Sequence, residues 1–384
     1  MTIFIFKAVF CLCLLALFYV YAGYPALVFV LGIIRNRRVA KSAFEPAVSI
    51  LIAAYNEENS IGPTLKNKLE LDYPKDKLEI IVISDGSTDG TDKIASGFAA
   101  SGVRLIRQEP RAGKTAGLNK AAEAARGEIL VFSDANSIFE ADALSRLVAN
   151  FKDRTVGYVT GKMVYSSPGA GERGYGCSAY MRYENFLRVH ETKAGSVVGV
   201  NGGIDAVRKN LYDPMKPDQL PDFVLPLKTV EKGFRVVYEP CALLKEESLK
   251  SSSDEYRMRV RVSLRALWAL YDMKHLLGLG KDMIYAWQLW SHKVLRYGAF
   301  VFMIGLYMAN LALWSAGPLY KVYFVIQNAM YLGAIASAFL AKIDIDQKYL
   351  YLFKYFFLLN LASAHAFFKF LLGRKQVVWT PRKG

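Results

Sequence analysis

The spacing of apolar residues along the chain changes twice. Residues 8–34 carry no charge at all, a run longer than the roughly 20 residues a helix needs to cross about 30 Å of hydrocarbon. From Lys41 to about Asp254 the long runs give way to short ones. "AVSILIAA" (47–54), "LEIIVIS" (78–84), "VRLIRQ" (103–108) and "EILVFS" (128–133) are near-continuous and rich in Val and Ile, which predicts buried parallel strands. Segments 60–70, 89–100 and 114–126 lie between them and predict helices. Strands alternating with helices predict an α/β domain, a doubly wound parallel sheet of Rossmann type.

Beyond that domain, "VSLRALWALYDMKHLLGL" and "MIYAWQLWSHKVLRY" mix apolar, aromatic and basic residues. They predict amphipathic helices lying on a membrane surface, with Trp268, Trp287 and Trp290 at head-group depth; ordinary core helices are the plainer alternative. Three more apolar runs follow at 297–316, 323–341 and 349–372, the last interrupted by Lys354, Asn360, His365 and Lys369. The expected organisation is therefore a membrane helix and basic junction (1–41), an α/β domain (42–256), interfacial helices (257–296) and a membrane region of about three spans (297–384).

Composition agrees: 53% of the 384 residues are hydrophobic and 13% aromatic, high for a chain that must cover itself with polar groups. A cleaved leader ending near Ala22 and Gly23 is the alternative for the first run, but the run continues past that point. Lys7 precedes the run, whereas Arg35, Arg37, Arg38 and Lys41 follow it. This asymmetry places the α/β domain in the cytosol of a multi-pass protein of the cell membrane. Three closing spans would then leave the tail "RKQVVWTPRKG" outside, against the charge rule, unless the last run is interfacial or re-entrant. The net charge of +15 collects at membrane junctions, where anionic lipids account for it, and no nucleic-acid partner is expected. Cys11, Cys13, Cys177 and Cys241 form no metal spacing or disulfide framework, and His190, His275, His292 and His365 read as structural.

The polar residues fall where strands end. The first predicted strand runs into Tyr55, Asn56 and Glu57, the second into Asp85 through Asp89, and the fourth into Asp134, Ala135 and Asn136. In a sheet of this kind ligands bind outside the carboxyl ends of the strands. Three acidic strand ends on one rim repel one another unless a divalent cation and a phosphorylated ligand fill the space between. Taken singly, each is an ordinary turn or cap. "AGKT" (112–115) is not a P-loop, since Gln108 stands where the first glycine is required, and no G-x-G-x-x-G follows the first strand. Lys114 remains a cation at a helix start, suited to diphosphate oxygens.

"VSILIAAYNEE", "VISDGSTDGT", "RAGKTAGLN" and "VFSDANS", in this order, resemble the donor-binding half of inverting family 2 glycosyltransferases with the GT-A fold. "GVNGGIDAVR" (199–208) and "LPDFVLPLKTVEKGFRVVYEP" (220–240) extend the likeness. The flanking apolar runs resemble the membrane polysaccharide-synthase branch, which includes cellulose, chitin, hyaluronan and poly-N-acetylglucosamine synthases. The resemblance implies a nucleotide-sugar donor, UDP-linked, and a glycan or lipid-linked acceptor. It implies that Tyr55, Glu57 and Asp85 hold the nucleoside and that Arg111, Lys114, Asn201, Gly202, Arg259 and Arg261 contact the donor. Asp134 opens the counterpart of the family's D-x-D motif, with Asn136 replacing the second aspartate, and together they would hold Mg²⁺ or Mn²⁺. Asp222 occupies the place of the catalytic base. "MRVRV" (258–262) departs from the Q-x-x-R-W-like motif of processive members, with Met258 for the glutamine and Val262 for the tryptophan. Polysaccharide synthesis is the leading expectation, favoured by the closing spans; the departure favours the alternative, transfer of one sugar to a lipid as glucosylceramide or polyprenyl-phosphate sugar synthases do. A catalytically inactive membrane scaffold that senses nucleotide-sugars is a remote third reading.

Overall fold

The protein is described by a computed structural model covering residues 1–166, 173–247, 252–278, 280, 282–340 and 348–377. Residue 341 of the second expected span and residues 378–384 of the tail lie outside the described residues. The chain opens with α1 (Thr2–Phe18), a five-residue π-helical turn (Tyr19–Gly23) and α2 (Tyr24–Arg35). The first half of the α/β domain then gives β1 (Val48–Ala54), α3 (Ile61–Leu69), β2 (Leu78–Ser84), α4 (Thr91–Ser96), β3 (Val103–Arg107), α5 (Lys114–Ala124) and β4 (Ile129–Asp134). The second half gives β5 (Ile138–Phe139), α6 (Ala143–Val148), β6 (Val156–Ser166), α7 (Arg173–Ala194), β7 (Asp205–Arg208), α8 (Pro221–Glu231) and β8 (Arg235–Glu247). Six helices close the chain: α9 (Ser252–Asp272), α10 (Met283–Leu289), α11 (Leu295–Tyr297), α12 (Ala299–Ala312), α13 (Pro318–Leu340) and α14 (Lys348–Leu371).

Every residue of β1 is buried, as befits a strand covered on both faces. It pairs in parallel with β2 and β4, and β2 pairs in parallel with β3. The expected doubly wound parallel sheet ends there. β7 returns antiparallel beside β4, and the full order is β3-β2-β1-β4-β7-β6-β8-β5, a mixed sheet. The four-residue β7 is short and begins on an aspartate, so apolar periodicity does not reveal it. One core lies between the sheet and α3 and α6 through Ile61, Leu65, Leu144 and Leu147. The other face packs on α5, α8, α9 and α10 through Leu118, Val224, Leu270 and Leu289. The two amphipathic helices expected at a membrane surface therefore bury one side in the domain core.

Thr2–Arg35 runs as a single helix of 34 residues, long and apolar enough to cross a membrane, and Met283–Tyr297 with Ala299–Ala312 pass the same test only as a pair bent by 57°. The two halves of the first helix have different neighbours. On α1, Phe10 and Cys13 pack with Leu306 and Ala309 of α12. On α2, Tyr24 and Val28 pack with Leu187 and Ala194 of α7. One turn further, Gly32 lets the backbone pass so close to His190 that a Cβ would sit 3.0 Å from its carbonyl oxygen. The second half of the apolar run docks on the α/β domain. The tail also returns to that domain: the Trp268 indole donates to the Arg374 carbonyl at 2.8 Å, and Lys375 pairs with Asp218 at 2.5 Å. Residues 374 and 375 thus contact the α/β domain and α9, an arrangement that three outgoing spans would not give.

Candidate active site

The first two strand ends are fastened to each other. Asn56 adopts a left-handed conformation, and its Oδ1 accepts from the Thr88 amide at 2.8 Å. The Glu57 amide donates to Thr91 Oγ1 at 2.8 Å and the Glu58 amide to Asp89 Oδ2 at 3.1 Å, while the Gly90 amide donates back to Glu58. Asp89 is consumed by this latch. Asp85, at the end of β2 and almost fully buried, is engaged as well: Oδ1 accepts from Gln108 Nε2 (2.6 Å), Ala112 N (2.8 Å) and Gly113 N (3.1 Å), and Oδ2 stands 3.4 Å from Arg111 Nε. These bonds shape the loop that delivers Lys114 to the start of α5. Arg111 leaves this ring to stack on Tyr55, its guanidinium carbon 3.4 Å from the ring centroid. Tyr55, Asp85 and Arg111 therefore form one connected group at the rim.

Most of the other expected residues surround a cavity of about 400 Å³. Glu57, Lys114, Asp134, Asn136, Asn201, Gly202, Asp222, Arg259 and Arg261 all line it. Of the expected acidic strand ends, Glu57 and Asp134 line this cavity, whereas Asp85 and Asp89 are outside its lining and bonded to the neighbouring loops. The acids that do converge are Asp134, Asp205 and Asp222, around Lys114. Lys114 pairs directly with Asp134 Oδ1. Burial opposes its charge, but Asp134, then Asp222 and Asp205, outweigh burial and hold its ammonium above the usual lysine range. Asp222, in the first turn of α8, is raised above the ordinary aspartate range by burial, while Lys114 and Arg265 pull it back. Asp205 is pushed much further up by burial; its Oδ2 accepts from the Tyr158 hydroxyl, and Oδ1 is buried with no hydrogen-bond partner among the described residues.

Two adjacent glycines allow the acids to approach. A Cβ on Gly202 would lie 2.7 Å from Asp222 Oδ2, and one on Gly203, whose φ is +90°, 3.2 Å from Asp134 Oδ2. Asn201 before them is turned into the domain: its side-chain amide donates to the Gly161 carbonyl at 2.7 Å and its backbone amide to Thr160 Oγ1 at 2.9 Å. Arg259 is held between Glu255 (2.9 Å) and the Tyr355 hydroxyl of α14 (2.7 Å). Asp205 and Arg265 were not singled out from the sequence. Arg265 donates to the carbonyls of Asp218 and Gln219 and to Thr115 Oγ1 at 3.0 Å, fixing the approach to α8, and burial lowers it to about 10. Its position four residues after Arg261, on the same helix face, was the available signal.

Among the described residues no group of three or more His, Cys, Asp or Glu is placed to hold an ion by itself. One carboxylate from Asp134 and one amide oxygen from Asn136 nonetheless fit a hard cation that takes its remaining oxygens from a diphosphate.

Residues 49–213 match the profile described as Glycosyl transferase family 2. The beta-monoglucosyldiacylglycerol synthase of Nostoc sp. is 30% identical over 172 residues, 44% of this chain and 37% of the relative. The poly-beta-1,6-N-acetyl-D-glucosamine synthase of Staphylococcus aureus is 29% identical over 203 residues, 51% of this chain and 48% of the relative. The glycosyltransferase AglE of Haloferax volcanii is 28% identical over 175 residues, 45% and 56%. The chain thus spans about half the length, or less, of these curated relatives. Among solved structures, the mannosyltransferase PcManGT from Pyrobaculum calidifontis, in complex with GDP-Man and Mn²⁺, superposes with a TM-score of 0.74 at 23% identity, over 96% of this chain and 99% of that one. That likeness is one of fold, and it extends to the helices outside the α/β domain. Residues 49–213 are thus similar to the family 2 glycosyltransferases, and the chain around them has a GT-A-like fold.

Proposed function

We propose that this chain is a membrane-seated inverting glycosyltransferase that passes a sugar from a nucleoside-diphosphate donor to a hydroxyl presented from the membrane side. One observation carries the reading: a single cavity is lined both by Lys114, Asp134 and Asp222 and by Tyr21 of the first helix and Phe356, Asn360 and Ser363 of α14. As the anomeric carbon's bond to the diphosphate breaks and the bond to the acceptor oxygen forms, Asp222 takes the acceptor's proton. Lys114 meets the charge that grows on the leaving diphosphate. A divalent cation, when bound, would neutralise the same charge, with Asp134 and Asn136 as the protein groups to hold it; the Mn²⁺ in the PcManGT complex supports this. The membrane setting draws on exposed apolar side chains along α1 (Phe4, Leu12, Leu15), α12 (Ile304, Met308) and α13 (Val322, Val325, Ile335).

Single addition to a lipid-linked acceptor is the favoured form, since Met258 and Val262 replace the glutamine and tryptophan expected for processive elongation. The lipid product named for the Nostoc relative supports it. Polymer extension is the second reading, supported by the Staphylococcus aureus relative. The test offers UDP-glucose, UDP-N-acetylglucosamine and GDP-mannose to the full chain in membranes with Mn²⁺ or Mg²⁺, and follows nucleotide release and product length. Asp222→Asn is expected to lose about 10²- to 10⁴-fold in transfer. Unchanged turnover would remove Asp222 as the base, and a ladder of products would favour extension.

A further inference from the structure

The chain turns sharply after β4. The Ser137 amide donates to the Asp134 carbonyl at 3.2 Å, which leaves Ala135 and Asn136 as the central residues of the turn and brings its two ends together. The backbone here is well supplied with partners, since the Ala135 carbonyl accepts from Thr64 and the Ser137 carbonyl from Lys68. The Ser137 side chain is the exception. It is fully buried, and its hydroxyl has no hydrogen-bond partner among the described residues. A buried hydroxyl left unpaired is destabilising, and an alanine of nearly the same volume would avoid that cost.

The hydroxyl borders the candidate cation site. The point that a Cβ on Gly203 would occupy lies 3.2 Å from Ser137 Oγ and 3.2 Å from Asp134 Oδ2, so both oxygens face the small space that the glycine leaves open. The other oxygen of Asp134, Oδ1, is paired with Lys114. A carboxylate that ligates a cation through one oxygen is steadied when a hydrogen bond fixes its orientation. The hydroxyl of Ser133, just before Asp134, is already committed, donating to the Asp134 carbonyl at 3.1 Å. Ser137 is the hydroxyl of the turn that is left for the task.

We propose that Ser137 is a positioning residue for the divalent cation: its hydroxyl donates to the Asp134 carboxylate when that carboxylate and Asn136 hold the ion. This rests on the glycosyltransfer reading with a bound cation. Lys114 is a charged partner and competes with a cation for Asp134, whereas a hydroxyl is a neutral donor and does not. Ser137 therefore contributes nothing to the Lys114–Asp134 pair and a hydrogen bond to the cation-holding carboxylate, which explains why a serine is kept in a position where it has no other partner.

The test measures Mn²⁺ retained by the full chain in detergent, by equilibrium dialysis against Mn²⁺ with UDP and, separately, with GDP. Ser137→Ala is expected to raise the Kd for Mn²⁺ about tenfold or more while nucleotide binding without metal changes less than about twofold. The melting temperature of metal-free Ser137→Ala should be unchanged or higher, because the substitution removes an unpaired hydroxyl and breaks no hydrogen bond. Ser137→Cys, close in shape but a weak donor, should weaken Mn²⁺ in the same direction. An unaltered Mn²⁺ Kd in Ser137→Ala would overturn the proposal. So would a lowered melting temperature in the metal-free variant, which would mean that the hydroxyl already has a partner there. Wild-type chain that retains Mn²⁺ no better than its variants condemns this proposal alone; wild-type chain that binds nucleotide but no Mn²⁺ condemns the cation reading with it, and one that binds neither condemns the glycosyltransfer reading as well.

Discussion

At Asp222 one carboxylate is subject to opposing influences. Burial raises its pKa, Lys114 and Arg265 lower it, and Asp134 raises it again, with a net upward result. In the role proposed for it Asp222 works deprotonated, so activity is expected to rise with pH through a midpoint above the ordinary aspartate value of about 4. Lys114 stabilises the anion, and Lys114→Met should therefore move the acidic limb of kcat/KM to still higher pH, besides weakening donor use. A profile of kcat/KM against pH for both forms checks this; coincident acidic limbs would refute the coupling. Asp134 and Asp222 could be picked out beforehand because each sits in a motif at an element boundary. Asp205 could not, since "IDAVR" has one acid inside an apolar stretch and nothing in the sequence says that the acid is buried beside Tyr158. Asp85 was legible as important, but its bonds to three amide groups of one loop depend on a turn geometry that residue types do not reveal.

The segment carrying Asp134 and Asn136 is held by a neighbouring helix. From α3, Thr64 Oγ1 donates to the Ala135 carbonyl at 2.8 Å, Asn67 exchanges bonds with the Phe139 backbone at 2.9 and 2.8 Å, and Lys68 Nζ donates to the Ser137 carbonyl at 2.6 Å. Lys68 is fully buried, stands 3.6 Å from the Phe139 ring centroid, and is pushed well below the usual lysine range by that burial. Removing its donor leaves a buried carbonyl unsatisfied, at a cost of about 1–3 kcal/mol. Lys68→Met is thus expected to lower the melting temperature and to raise the donor KM, with thermal unfolding and donor titration as the readouts; a melting shift with an unaltered donor KM would mean the clamp does not govern the site. In "LKNKLE" nothing distinguishes this lysine from Lys66, two residues earlier, whose side chain is 74% exposed. Which side of a short helix faces the sheet is decided by neighbours far away in the chain.

For the whole molecule, the parallel half of the sheet was readable because each strand there is a continuous Val- and Ile-rich run. The antiparallel half was not, since β5 and β7 are too short to carry a period. The length of the first apolar run was equally plain, but its division between α12 and α7 depends on contacts with residues more than 150 positions away. Gly32 is where that division can be tested. Gly32→Leu would force a side chain against the His190 backbone, and should separate α2 from α7 and lower the melting temperature of the full chain, read by thermal unfolding in detergent; an unchanged melt would show that the docking contributes little.

A helix of 34 residues rises about 50 Å, some 20 Å more than a hydrocarbon layer is thick. In the proposed setting that surplus packs on the domain that holds the chamber, through Tyr24 and Val28 against α7. The enzyme then cannot search for its substrates by bobbing or tilting, and works at a single standoff from the lipid surface. An acceptor has to bring its own reactive group to that height, so the length of its head group acts as a ruler that selects substrates before any side chain recognises them.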